Sequence, residues 1–300
     1  MNPIVIAEAL NKTVKIRAVK TTELVETARL KHDLYPTSAA ALGRVMTVGS
    51  IMASEWKDPE AKTIIEINGG GPCGSIIVHA KGNGELKGLI GDPHIYLFNE
   101  QTGKLDVGKA VGTNGYLKVM KDLGLKEPFS GIVNLQSGEI GDDFSYYFAI
   151  SEQTPSVVSV GVLVNTDYSI KAAGGLIIQL LPDAPEETIA YVENLVKTMK
   201  PMSTYIDEGL TPEEIIKTLF EDANILEYKE VYWHCDCSKE HFKDALALID
   251  RKDLVSLIEE DHEAEITCQY CNETYHFEEA ELKEILEKKD AVENRKHLNS

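Results

Sequence analysis

Apolar and polar positions alternate over Thr13–Val19, which predicts a strand with one face turned to a core. The period lengthens to that of a helix over Thr22–His32 and Ser38–Met52, then returns to strand-like runs at Thr63–Asn68, Gly74–Ala80 and Leu86–Ile90. Lys81-Gly82-Asn83-Gly84 separates the last two and reads as a hairpin turn, because Asn and Gly accept positive φ. Further strands are expected at Gly115–Lys121, Gly131–Leu135, Ser156–Val164 and Gly175–Leu181, with a helix over Ile140–Ser151. Strands and helices are interspersed without a regular βαβ repeat, so residues 1–181 are expected to form an α+β core domain of mixed sheet and packed helices.

Pro182 and Pro185 mark a change of pattern. Ile189, Val192, Leu195, Val196 and Met199 recur at helical spacing, and Pro201 ends that run. Thr211-Pro212-Glu213-Glu214 is a helix start: Thr at the N-cap, Pro at the first helical position, Glu three residues after the cap. Residues 182–230 are therefore expected to be a helical connector, and residues 231–300 a small second domain. In that domain Ser238 can cap a helix with the apolar face Phe242, Ala245, Leu246 and Ile249, and a short helix starts near Asp253. ITCQYCNETYHF reads as strand, knuckle, strand, and a charged helix follows from Glu278.

Charge narrows the functional classes. The 300-residue chain carries 49 Asp and Glu against 30 Lys and Arg, a formal charge of -19. It has no basic run to neutralise phosphates, and its charge opposes anionic membrane surfaces; neither a nucleic-acid nor a membrane partner is expected. The first residues lack the order of a signal peptide, and no stretch approaches the ~18 apolar residues that span a bilayer. A cytoplasmic location, where thiols stay reduced, is expected.

Of five cysteines, Cys235, Cys237, Cys268 and Cys271 crowd into the last quarter as C-x-C and C-x-x-C. Two tight cysteine pairs separated by a folding segment suit tetrahedral zinc, each turn supplying two thiolates. Four thiolates complete the shell of one zinc ion, so His234, His241, His262 and His276 are read as surface or outer residues, and hydrolytic catalysis is disfavoured. A disulfide inside the C-x-C would close a very small ring, and strained disulfides are easily reduced again. Oxidation would remove the ligands and, with them, the folding energy the metal supplies. Four cysteines allow three pairings, and spacing alone does not choose between them.

The two cysteine motifs, with residues 238–267 between them, resemble the heat shock protein 33 family. So do LYPTSAAALGRVMT (34–47), GYLKVMKDLGLKEPFSGIVNLQSGEIGDDFSYYFAISEQTPS (115–156) and AAGGLIIQLLPDAPEE (172–187), which cover the core and its junction with the connector. The resemblance implies a redox-regulated holdase chaperone that works without ATP. It is inactive when reduced and zinc-bound, and it is activated when oxidation forms Cys235–Cys237 and Cys268–Cys271 disulfides and releases zinc. It further implies unfolding client proteins as partners, homodimerisation on activation, and later transfer of clients to ATP-driven foldase chaperones. A client surface in the connector, formed by Ile189, Val192, Val196, Ile215, Ile216 and Leu219, rests mainly on this resemblance; packing against the core explains the same residues.

The remaining motifs carry less. Gly69-Gly70-Gly71-Pro72 lacks the Gly-Lys-Ser/Thr of a phosphate loop and reads as a turn between strands. Cys73 after it reads as a structural buried thiol. Ser137 and Ser151 lie in no nucleophile elbow and read as caps and turns. A zinc-ribbon adaptor or regulator is the main alternative function. Residues 232–300 hold 18 Asp and Glu against 9 Lys and Arg, which opposes a nucleic-acid version of it. A zinc enzyme is disfavoured by the saturated ligand set.

Overall fold

The alternating Thr13–Val19 segment becomes the strand Val14–Lys20 at the centre of a five-stranded antiparallel sheet in a computed structural model of the protein, which describes residues 2–298, with side chains to residue 291. The sheet runs in the order Ser156–Val164, Ile170–Leu180, Val14–Lys20, Pro3–Ala9, Asn224–Glu230. A second sheet runs Tyr232–Trp233, Glu85–Ile90, Ile76–Lys81, Lys62–Asn68, Tyr116–Asp122, Phe129–Asn134. It is antiparallel except where Tyr232–Trp233 lies parallel to Glu85–Leu86. The helix Pro36–Ala53 packs against strands of both sheets and buries every residue but Arg44. A helix apolar all round belongs inside a core, and Pro36 sits at its first turn, where no N–H is needed.

The chain divides into two units, Met1–His234 and Cys235–Ser300. In the first, Ile4, Ile6, Val19 and Ile177 of the five-stranded sheet face the central helix. Val5, Val14, Ile16, Ala18, Leu176 and Ile178 form a second core on the opposite face, closed by Val192, Ile206, Ile215, Ile216, Leu219 and Phe220. The last six belong to the stretch from the helix Glu186–Thr198, through Met202–Asp207 and Pro212–Leu219, to the residue after it. The capping box at Thr211 is formed: Thr211 accepts the Glu214 N–H, and Glu214 accepts the Thr211 N–H at 2.8 Å.

Three sequence expectations change. The connector is helical only to Leu219; Asn224–Glu230 is a strand on Pro3–Ala9. An unpaired sheet edge is a strong template, and pairing there overrides the helical surroundings of this short segment. Val196 is exposed (42%), not core-facing, because the buried stripe of its helix runs through Thr188, Val192, Leu195 and Met199, and Val196 lies about 70° round from the middle of that stripe. The strand expected from Gly175 begins at Ile170; Ala172, Ala173 and Gly174 are poor strand formers held by pairing with Leu163, Val162 and Gly161, and Gly174 also pairs with Lys20. The glycine-rich segment is a turn: a Cβ at Gly69 or Gly71 would lie 2.3 and 2.4 Å from the carbonyls of Gly112 and Ala110.

In the second unit, Leu246, Leu254, Ile258, Phe277, Leu282 and Ile285 form a small core. The elements are the helix Lys239–Leu246, the helix Arg251–Ser256 continued by a π-helical turn Leu257–Asp261, the hairpin Glu263–Thr267 with Thr274–Glu278, and the helix Glu279–Leu298. Ser238 accepts the His241 N–H at 3.1 Å and caps the first helix as expected.

Candidate metal centre

Each cysteine pair is fixed by a local device. Cys235 and Cys237 lie directly before the Ser238 cap, so the extended C-x-C puts both sulfurs ahead of a helix start. Cys268 and Cys271 sit in the turn of the hairpin. The Asn272 N–H reaches the Cys268 carbonyl at 2.8 Å and the Cys268 N–H reaches the Glu273 carbonyl at 2.9 Å. Asn272 takes φ +58, a left-handed conformation that Asn tolerates. The turn thereby folds back and presents both thiols on one side.

The four sulfurs lie within 4.8 Å of one another. The Cys235–Cys268 contact is 3.7 Å and the Cys237–Cys271 contact 3.3 Å. Four thiolates about 2.3 Å from one ion in a tetrahedron stand about 3.8 Å apart, so the donor set fits a single metal ion. Cys268 and Cys271 are buried, and Cys235 and Cys237 are half-buried. Burial pushes the Cys271 thiol up, and the neighbouring sulfurs add to it. At Cys237 burial acts in the same direction, but hydrogen bonds from Tyr275 and then Cys271 overcome it and hold the thiol below its ordinary value. Deprotonating all four sulfurs in so small a space calls for a cation between them.

Tyr275 is the neighbour that sequence reasoning missed. Its hydroxyl lies 3.3 Å from Cys237 Sγ and 3.2 Å from the Cys237 carbonyl. Strand alternation offered the signal, since Tyr275 shares a face with buried Phe277, two residues on. The histidines stay outside the cluster of donors: His262 pairs with Glu279, His276 with Glu265 and His234 with Glu85, while His241 meets Phe242 edge to face. Cys73 is fully buried in the first unit, with its thiol pushed up to about 11, mainly by burial. Of the connector residues, Val192, Ile215, Ile216 and Leu219 are buried, Ile189 is half-buried and Val196 is exposed. Ser151 ends the helix Gly141–Ile150, and Ser137 donates its N–H to Asp143.

Among the described residues no helix is long and apolar enough to cross a membrane. A family model described as "Hsp33 protein" matches residues 4–278. The chain is 47% identical over 281 residues to the 33 kDa chaperonin of Geobacillus kaustophilus, covering 93% of this chain and 95% of the relative. It is 48% identical over 290 residues to that of Shouchella clausii, covering 96% and 98%. The crystal structure of the Thermotoga maritima 33 kDa chaperonin, a heat shock protein 33 homolog, superposes with a TM-score of 0.90 at 32% identity, covering 97% of this chain and 99% of the other. The chain belongs to the Hsp33 family, whose members are chaperones and not enzymes.

Proposed function

We propose that the protein is a cytoplasmic, ATP-independent holdase under redox control, in which one zinc ion held by Cys235, Cys237, Cys268 and Cys271 keeps the reduced form inactive. The observation that carries this reading is the four-sulfur cluster joining the start of the unit to its hairpin turn, in a unit with so small an apolar core. Soft thiolate ligands select zinc over harder divalent ions, and a bound zinc would fix the geometry of the turns that carry them. Structural zinc contributes on the order of 10–16 kcal/mol to the folding of such sites. A whole domain is stable by only ~5–15 kcal/mol. Loss of the ligands is therefore enough to unfold the unit.

Oxidation by peroxide supplies that loss. A cysteine thiolate attacks one peroxide oxygen; an S–O bond forms, the O–O bond breaks and hydroxide leaves. A second thiolate attacks the resulting sulfenic sulfur, forming the S–S bond and releasing the second hydroxide. Two peroxides thus convert four thiolates into two disulfides, Cys235–Cys237 and Cys268–Cys271, and leave the zinc without ligands. In this reading residues 1–181 are the core domain, 182–230 the connector and 231–300 the switch. Loosening of the connector uncovers Val192, Ile215, Ile216 and Leu219, with Ile189 and the already exposed Val196 beside them, as a surface for unfolding clients. Exposed apolar surface of this kind also favours dimerisation, and clients would pass onward to ATP-driven foldases.

The test is light scattering of heat-unfolding citrate synthase, without ATP, after incubation with reduced or with peroxide-treated protein. Suppression of aggregation is expected only with the oxidised form. Equal suppression by both forms would refute redox control.

A further inference from the structure

We infer that Tyr275 is a positioning residue of the metal site: its phenol donates a hydrogen bond to the Cys237 thiolate, holds that sulfur in its ligating position and shields it from oxidants. The inference rests on the zinc reading given above and adds to it a residue outside the ligand set. The hydroxyl is 3.3 Å from Cys237 Sγ and 3.2 Å from the carbonyl of the same residue. Its ring stacks on Phe242 at 5.1 Å, and its backbone is paired with Ile266 in the hairpin. The phenol is thus held by both the helix that follows the C-x-C and the hairpin that carries the C-x-x-C.

A phenol has one proton to give. While Cys237 is a thiol, its S–H can donate to the phenol oxygen and the phenol proton can go to the carbonyl. Once Cys237 is a thiolate, only the phenol can donate, and the sulfur is the stronger acceptor. That bond draws charge from the sulfur and lowers its nucleophilicity, and the hydroxyl at 3.3 Å occupies one approach to it. Partners just outside a metal's ligands typically act through such bonds.

The experiment uses the full-length, zinc-loaded protein and its Tyr275→Phe variant, which keeps the ring and loses only the hydroxyl. Iodoacetamide modification of each cysteine is followed by peptide mass spectrometry. Modification of Cys237 is expected to accelerate on the order of tenfold, with the other three cysteines little changed. No acceleration, or the same acceleration at all four, would overturn the inference, the latter being what general loosening produces. Site-specific replacement of Tyr275 by 3-fluorotyrosine keeps every packing contact and makes the phenol a stronger donor. It is expected to slow Cys237, and an unchanged or faster rate overturns the inference even if the Phe variant fails to fold. Zinc content of the wild-type protein, measured alongside, separates the two readings. Zinc present without a Cys237-selective effect sinks the tyrosine inference alone. Zinc absent with a selective effect sinks the zinc reading and leaves the hydrogen bond standing.

Discussion

Peroxide oxidation is expected to join Cys235 to Cys237 and Cys268 to Cys271, and not to link the two motifs. The reduced geometry makes this a demanding prediction, because the two shortest sulfur contacts, 3.7 and 3.3 Å, run across the motifs. The consequences of the alternatives differ in size. A crosslink spanning the 33 or 34 residues between those partners would remove about 4 kcal/mol of chain entropy from the unfolded state. A unit of about 65 residues rarely draws more than 3–5 kcal/mol from its apolar core. A cross-link would therefore replace part of the contribution proposed for the metal and oppose opening of the unit. A disulfide within either motif constrains only two or three residues of the unfolded chain and leaves 238–267 free to open. Local partners also stay close once the metal leaves, because almost no chain must be searched to bring them together. The assay is proteolysis of the oxidised, active protein under non-reducing conditions, followed by mass spectrometry. Predominant linkage of the 235–237 peptide to the 268–271 peptide in active protein would refute the reasoning.

Chelation of the metal from reduced protein is expected to abolish amide-exchange protection across Lys239–Leu246 and the Glu263–Glu278 hairpin. Val14–Lys20 and Ile170–Leu180 in the other unit should remain protected; unchanged exchange in the hairpin would contradict a structural role for zinc. Cys73 should resist iodoacetamide at pH 8 in the native protein, and Cys73→Ser should still activate on oxidation. Because its thiol is raised from 9.0 to about 11, the unfolded chain loses that proton first, so a pH titration of stability should show a contribution that declines as pH rises between those values and is absent in Cys73→Ser. Thr211→Ala removes the hydroxyl that accepts the Glu214 N–H, while the backbone N–H of residue 211 keeps its bond to the Glu214 carboxylate; it should cost about 1 kcal/mol, seen as a lower melting temperature and a lower temperature for oxidative activation.

Much of the site was legible because its cysteines are close in sequence. Cys235 with Cys237, and Cys268 with Cys271, stand out by spacing alone as two metal-ligand motifs, and the Ser238 and Thr211 caps are equally local. Elements defined by distant partners were harder to read. Pro3–Ala9 is a strand because Val14–Lys20 and Asn224–Glu230 flank it, and nothing within the first ten residues specifies the second of those partners. The interspersed pattern implied a mixed sheet, but the division into two sheets around Pro36–Ala53 depends on register. Tyr275 reads locally as one more strand residue; its role beside Cys237 exists only after the hairpin brings position 275 back to position 237.

The strand at Asn224–Glu230 changes how a connector of this kind can let go. Its helices are tethered at both ends to one sheet: Ile170–Leu180 enters them, and Asn224–Glu230 leaves them on the far edge. The intervening stretch, about 40 residues, can lift away as a closed loop without breaking a strand pair, and closing a loop of that length costs little more than closing one half as long. Lifting it would uncover two apolar surfaces together, the helix stripe of Val192, Ile215, Ile216 and Leu219 and the sheet face of Val5, Val14, Ile16 and Ile178 against which it packs. The opposite face of the sheet, with Ile4, Ile6 and Val19, stays in contact with the central helix core. On the proposed reading, a client surface would thus be exposed by displacing one layer, with the strand register of the sheet kept.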